Sequence, residues 1–388
     1  MTRTPRAAAG AFRVALTPLA LICALAVTSG LPPARAVAAP CVNWTGAQPP
    51  SPGTDSVLTA VTVLSACDAW AVGYSSTGTV MKSLTEHWDG SSWRVVPSPD
   101  PGDGGGLAGV QAVSPANIWA VGSYAAGAVS KTLIVHWNGA AWKQVPSPSP
   151  GSTMNGLNAV RALSAGNAWA VGLLSNGTGG TQTLVMRWNG GSWRRVPSPS
   201  RGQFSELDGV AGTSGKDAWA VGKYSPSGAP RTLIEHWNGV SWRIVPSPNP
   251  GTGGSQLGAV AATTSRGAWA AGISFGNGST QTLVLHWNGS KWVRAASPSA
   301  GSQDNLAGVA ATSAANAWAV GAFSGGKTGD RTLVLHWDGK AWARLPSPNV
   351  QFTSDDLLAV AASSATNAWA VGTFREDGHN HTLAIHCC

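Results

Sequence analysis

One segment of about fifty residues is written seven times along this chain. Its first tryptophan stands at Trp70, Trp119, Trp169, Trp219, Trp269, Trp318 and Trp369, a spacing of 49 to 51 residues. Around it the same pattern returns with little change: L-x-A/G-V, then A-W-A-V-G, then T-L-x-x-H-W-N/D-G-x-x-W, ending in P-S-P. A repeat of this length is one supersecondary unit that cannot bury its apolar face alone and must stack on its neighbours. Composition narrows the unit further. Only 11% of residues are charged, against 49 glycines and 25 prolines, which excludes helical bundles and coiled coils. Twenty tryptophans exclude a disordered chain, because such side chains belong in a core or on a binding surface.

Each repeat parses into four short strands by alternation and turn chemistry. In the second repeat the pattern predicts strand a over Leu107 to Val113, b over Ile118 to Gly122, c over Thr132 to Trp137 and d over Trp142 to Pro146. Asn138-Gly139 between c and d is a hairpin signal, since both residues tolerate positive φ. Seven units of four antiparallel strands predict an all-β chain, a single seven-bladed β-propeller of four-stranded blades. The ends of the chain fit this arithmetic. The last repeat stops at His386-Cys387-Cys388, where the others continue into strand d. Trp44 precedes Leu58 by 14 residues, the step that separates Trp93 from Leu107, so Trp44 reads as a strand-d tryptophan lacking its own strand c. The N-terminal strand, within residues 41–52, is expected to complete the last blade and close the ring, removing exposed edges.

Residues 1–38 read as an export signal, with Arg3, Arg6 and Arg13 before an apolar run from Val14 to Val27 and small residues near Ala36 and Ala38. Residues 39–388 are then the propeller, secreted and without a membrane span. Losing Arg3, Arg6, Arg13 and Arg35 leaves 21 basic against 17 acidic residues, and these are scattered. That distribution excludes nucleic acid as a partner. Cys41, Cys67, Cys387 and Cys388 remain, and two disulfides are expected, one of them across the closure.

Spacing inside the repeat locates the free surface. Leucine to strand-b tryptophan is always 12 residues and the c-to-d tryptophan step always 5, whereas the b-to-c and d-to-a steps vary by one residue. The variable connections share one face, where binding on a rigid scaffold usually sits. Polar residues collect there on some repeats only. Glu206, Gln256, Asn305 and Asp356 precede the strand-a leucine, with Asn158, Asp208 and Asp355 nearby and Arg161 the one cation on any strand a. Asn158, Arg161, Glu206 and Asp208 are expected to form one polar pocket. Asp377, His379 and His381, in the b–c connection of the last repeat, are weaker candidates for a metal. The repeated tryptophans and histidines read as packing and hydrogen-bonding residues. No glycine-rich phosphate cradle sits between a strand and a helix, so no cofactor is expected.

The segments L-x-A/G-V, A-W-A-V-G and H-W-N/D-G-x-x-W resemble the repeats of sialidase-type Asp-box and photosystem-assembly-factor propellers, over residues 41 to 388. The chain departs at the Asp box, where His or Arg stands two residues before N/D-G, and the sialidase arginine triad is not visible. It also resembles secreted actinobacterial propellers, which include lectins and recognition subunits of larger toxin particles. The resemblance implies binding rather than catalysis. The first expectation is a secreted, lectin-like module for cell-envelope or extracellular carbohydrate. A scaffold subunit binding other secreted proteins is the alternative. A glycoside hydrolase or lyase, for which Glu206 and Asp208 would supply the carboxyl pair, is the less favoured one.

Overall fold

A computed structural model describes residues 41–226, 228–324, 326, 329–350 and 354–387. These residues form β-strands and connections, with no α-helix among them. Strand a of the seven repeats spans Asp55–Ser65, Gly105–Ser114, Asn155–Ser164, Phe204–Ser214, Gly254–Thr264, Asp304–Ser313 and Ser354–Ser364. In the second repeat it is followed by b (Asn117–Ala126), c (Val129–Trp137) and d (Trp142–Gln144), in antiparallel order a-b-c-d. Asn138 accepts the Ala140 and Ala141 N–H groups at 3.1 and 3.0 Å, and Gly139 takes φ +92°, which closes the c–d turn.

The sheets number six, not seven separate ones. Five have four strands each, and the eight-stranded sixth joins repeats 3 and 4. The reason is local: Thr181, at the start of strand c in repeat 3, pairs in parallel with Phe204 on strand a of repeat 4. In the last sheet the fourth strand is N-terminal. Thr45–Gly46 pairs antiparallel with the C-terminal strand, Thr45 opposite His386 and Gly46 opposite Ile385. A Cys41–Cys387 disulfide, with Cα atoms 5.7 Å apart, ties the same two segments. Cys67 is a free, exposed thiol rather than half of a second bridge. Cys388 lies outside the described residues, as do residues 1–38 of the expected signal.

The core is a set of layers between neighbouring sheets. Trp70 of repeat 1 meets Trp137 and Trp142 of repeat 2 at 4.8 and 5.5 Å between ring centroids. Trp219 meets Trp287 and Trp292 in the same way. Trp369 of the last repeat meets Trp88 and Trp93 of the first, both at 5.0 Å, within an apolar cluster that includes Leu58, Leu84 and Val371. The repeated histidine lies against its own strand-b tryptophan, tilted as His136 is on Trp119 at 4.3 Å or stacked as His386 is on Trp369 at 4.2 Å. Its Nε2 meets the residue opening strand b, Asn117 at 2.8 Å or Asp217 at 2.7 Å. Arg187 fills the histidine slot in repeat 3 and lies over Trp169 at 5.0 Å. The P-S-P runs are latches. Thr132 Oγ1 lies 2.8 Å from Ser147 Oγ and donates to the Pro148 carbonyl at 3.0 Å. In the last sheet Thr382 makes the same bonds to Ser51 and Pro50, so the N-terminal segment docks there as the runs of repeats 2 to 6 dock in their own repeats.

Candidate functional site

Every strand a carries a β-bulge directly after its leucine, as between Leu157 and Ala159 or Leu207 and Gly209. The bulged residue leaves the ladder and turns its side chain aside. The seven bulged residues are Thr59, Ala108, Asn158, Asp208, Gly258, Ala307 and Leu358, and all of them line one cavity of about 170 Å³. The next position is always alanine or glycine, because adjacent strands approach closely there. A Cβ on Gly209 would sit 3.0 Å from the Ala259 Cα. Then comes valine in every repeat. Val210, Val260, Val309 and Val360 line this cavity and also a second one of about 210 Å³, nearer the a–b turns.

Polar chemistry in the first cavity is confined to a few repeats. Thr59 Oγ1 donates to the Leu107 carbonyl at 2.8 Å, and Asn158 Nδ2 donates to the Leu207 carbonyl at 3.0 Å. Asn158 Nδ2 also reaches Asp208 Oδ1 at 3.1 Å. Burial pushes the Asp208 carboxyl up to about 7, and the charge of Glu206 adds to the shift while Lys223 and Asn158 oppose it. Glu206 is held by Lys223 Nζ at 2.6 Å across the a–b pair. Burial alone would lower the Lys223 ammonium, but Glu206 and Asp208 raise it above its usual value. Asn158, Asp208, Glu206 and Lys223 therefore form one network of donors and acceptors over repeats 3 and 4, where the other repeats present Thr59, Ala108, Gly258, Ala307 and Leu358.

The remaining expected residues divide. Arg161 does not join Glu206 and Asp208: three residues beyond Asn158, it passes the valine layer and lines the second cavity, donating from Nη1 to Gln111 Oε1 at 3.2 Å. Gln256 and Asp356 occupy the slot of Glu206 on their own strands, partly buried. Burial raises Asp356 to about 6, with Asp330 and Asp355 adding to it. Asn305, also in that slot, accepts the Ala322 N–H at 3.2 Å within its own sheet. Asp355 points away from the cavity. Fully buried, it accepts the Val350 N–H at 2.7 Å, as Asn155 accepts that of Gly151 and Asp304 that of Gly301. This buried polar slot, two residues before each leucine, anchors the d–a connection.

The cluster in the last b–c connection is a tight turn rather than a loose loop. Asp377 and Gly378 take φ of +51° and +86°, and Glu376 pairs with His379. His379 faces Asp55 at 3.6 Å, while the His381 ring stacks on Phe374 at 5.1 Å. Asp377, His379 and His381 do not converge, and no group of three metal-ligating side chains does so among the described residues. No helix there is long and apolar enough to cross a membrane.

One contributor, Lys223, escapes a reading by strand a alone, and Gln111, on strand a of repeat 2, enters only as the partner of Arg161. The residue after V-G on strand b pairs with the one before the strand-a leucine, and Lys223 is the single charge in that slot.

No family model matches the chain, and no curated protein matches it. Solved structures do. The protein YCF48 bound to a D1 peptide aligns over 89% of this chain and 95% of its own at 16% identity, with a TM-score of 0.54. YCF48 from Cyanidioschyzon merolae aligns over 88% and 98% at 15% identity, also with a TM-score of 0.54. A polysaccharide lyase, an ulvan lyase bound to GlcA(1-4)Rha3S, aligns over 88% and 93% at 9% identity, with a TM-score of 0.56. At such identities the likeness is one of fold alone, and the fold in common is the β-propeller.

Proposed function

We propose that this chain is a secreted, non-catalytic binding module: a seven-bladed propeller, closed by its N-terminal strand, that takes carbohydrate where its first cavity opens. Closure is supported by the seven bulged residues around one cavity and by the Trp369 contacts with Trp88 and Trp93. The eight-stranded sheet then counts as two blades bridged at Thr181 and Phe204. Export is supported by the basic and apolar pattern of residues 1–38 and by a disulfide that persists in an oxidising compartment.

The observation that carries the ligand reading is the asymmetry of the first cavity. Among near-identical repeats, Asn158 and Asp208 line the cavity from strand a of repeats 3 and 4, backed by the Glu206–Lys223 pair on strands a and b of repeat 4, which orients one ligand in one way. Alternating donors and acceptors at low net charge suit hydroxyl groups. The test is a glycan and polysaccharide array with the purified exported protein. Saturable binding, competed by free sugar and lost in an Asp208→Asn, Glu206→Gln double variant, is the expected result. A blank array from folded protein rejects the carbohydrate and turns the search to secreted protein partners.

One observation favours an enzyme instead. Asp208, at about 7, is poised to exchange a proton near neutral pH beside a second carboxylate. Release of new chain ends from a polysaccharide, abolished by Asp208→Asn, would establish that reading over the first.

A further inference from the structure

The second cavity, on the far side of the valine layer, has a chemistry of its own. Four residues after each leucine, repeats 1 to 3 carry Thr62, Gln111 and Arg161, and the other four repeats carry alanine. The three polar side chains form a chain. Arg161 Nη1 donates to Gln111 Oε1 at 3.2 Å, Gln111 Nε2 donates to the Ala112 carbonyl at 3.0 Å, and the Ala112 N–H donates to Thr62 Oγ1 at 3.1 Å. Gln111 Nε2 also lies 3.5 Å from Thr62 Oγ1.

These bonds use up acceptors and leave donors. Arg161 Nε is buried with no hydrogen-bond partner among the described residues, and the Thr62 hydroxyl proton is not used by any bond in the chain. No aspartate or glutamate lines the cavity, and no carboxylate pairs with Arg161 among the described residues. The rest of the wall is valine and alanine. A partly buried cation without a counter-charge is costly, and burial here holds the guanidinium pKa below its usual value. An acceptor-only, negatively charged group removes the donor excess and balances the charge at once.

We propose that this cavity is an anion site in which a small carboxylate sits against the Nε edge of Arg161 and within reach of the Thr62 hydroxyl. A guanidinium presents its donors in a planar fork that fits the two oxygens of a carboxylate, and with Nη1 held by Gln111 the Nε side is the edge left over. Amines gain nothing from it, and a neutral carbonyl brings one acceptor oxygen without the charge. The site is independent of whatever binds the first cavity, from which the valine layer divides it.

The test is calorimetric titration and thermal melting of the purified exported protein with acetate, its neutral isostere acetamide, and inorganic sulfate. Acetate is expected to bind saturably at one site per chain and to raise the melting temperature, and acetamide to do neither. Arg161→Gln abolishes the response. Thr62→Val, which keeps the charge and the side-chain shape, weakens acetate binding roughly tenfold, the loss expected for one hydrogen bond to a charged group. Absence of a saturable acetate response in folded protein, or equal responses to acetate and acetamide, overturns the proposal. Binding of sulfate without acetate overturns the carboxylate assignment. If Arg161→Gln does not fold, Thr62→Val decides: acetate binding unchanged from the parent rejects the site.

Discussion

The b, c and d strands and the a strands of this molecule treat their polar groups differently. On the outer strands the same partner recurs from repeat to repeat. His87 meets Asp68, His136 meets Asn117 and His386 meets Asn367, and the threonine of each latch meets the serine of a P-S-P run. On strand a the buried slot two residues before the leucine also serves the frame, but the slots from the leucine's neighbours onward hold different residues from repeat to repeat, and Arg161 there keeps an unpartnered Nε. Recurring partners hold the frame. Departures from the repeat, at fixed slots on one strand, supply the chemistry.

Two glutamates break this division and give its largest test. Glu86 and Glu235 sit in the frame, in a strand-c slot that is Val135, Met186, Leu285, Leu335 or Ile385 elsewhere. Both are fully buried, and their carboxyl oxygens have no hydrogen-bond partner among the described residues. Burial raises each to about 8 from the usual 4.5. Between those values the folded chain keeps protons that the unfolded chain has released, so stability falls as pH rises from about 4.5 and levels off above 8. The full loss is on the order of 5 kcal/mol per glutamate. Urea midpoints are expected to drop from pH 5 to pH 8, across the window set by these carboxyls. Glu86→Leu with Glu235→Leu should flatten that slope and raise the midpoint most at the alkaline end. An unchanged slope in the double variant would return both glutamates to the frame as ordinary residues.

A second test sharpens the frame itself. Trp219 packs between repeats 4 and 5, and Trp369 packs between the last repeat and the first. Truncating a buried tryptophan to alanine costs about 3–5 kcal/mol. Trp219→Ala and Trp369→Ala should therefore lower the urea midpoint equally if the layer joining the chain's two ends is as tight as one inside it. A much smaller loss for Trp369→Ala would mean an open ring in solution.

The frame was largely legible in the sequence because a repeat prints its own spacing. Seven tryptophans in register, an N/D-G turn in six repeats and the displaced Trp44 point to stacked four-stranded units, and the likeness to solved propellers is one of fold. The bridge between Thr181 and Phe204 is invisible to spacing, since it is a single contact across repeats. The site was less legible, for two physical reasons. The bulge after each leucine changes which way the next side chain faces, so Asn158 and Arg161, three apart, end on opposite sides of the valine layer. Alternation also separates Asp355 from Asp356, one buried under the d–a connection and one only partly buried on the opposite face of the strand. That parity was readable, because the slot before Asp356 is Ser56, Asn155, Ser205, Ser255 or Asp304 in other repeats, always a small polar residue, save for Gly105.

The smallest expected effect compares one polar residue from each region. Thr382 Oγ1 is bonded to the carbonyls of Pro49 and Pro50 at 3.1 and 3.0 Å and lies 3.0 Å from Ser51 Oγ. Valine keeps its shape and removes the hydroxyl, leaving buried groups unsatisfied, so Thr382→Val should cost about 1–3 kcal/mol. Gln256, on strand a, is half-buried in the slot before the leucine, and Gln256→Ala should stay within about 0.5 kcal/mol of the parent. The readout is the urea midpoint at unchanged slope, with slope reporting whether the unfolded surface is the same. If Gln256→Ala destabilises as much as Thr382→Val, the strand-a slot belongs to the frame after all. If Thr382→Val is silent, the N-terminal segment is held by its disulfide and its two paired residues rather than by the latch, and the last sheet differs from the rest in how it is closed.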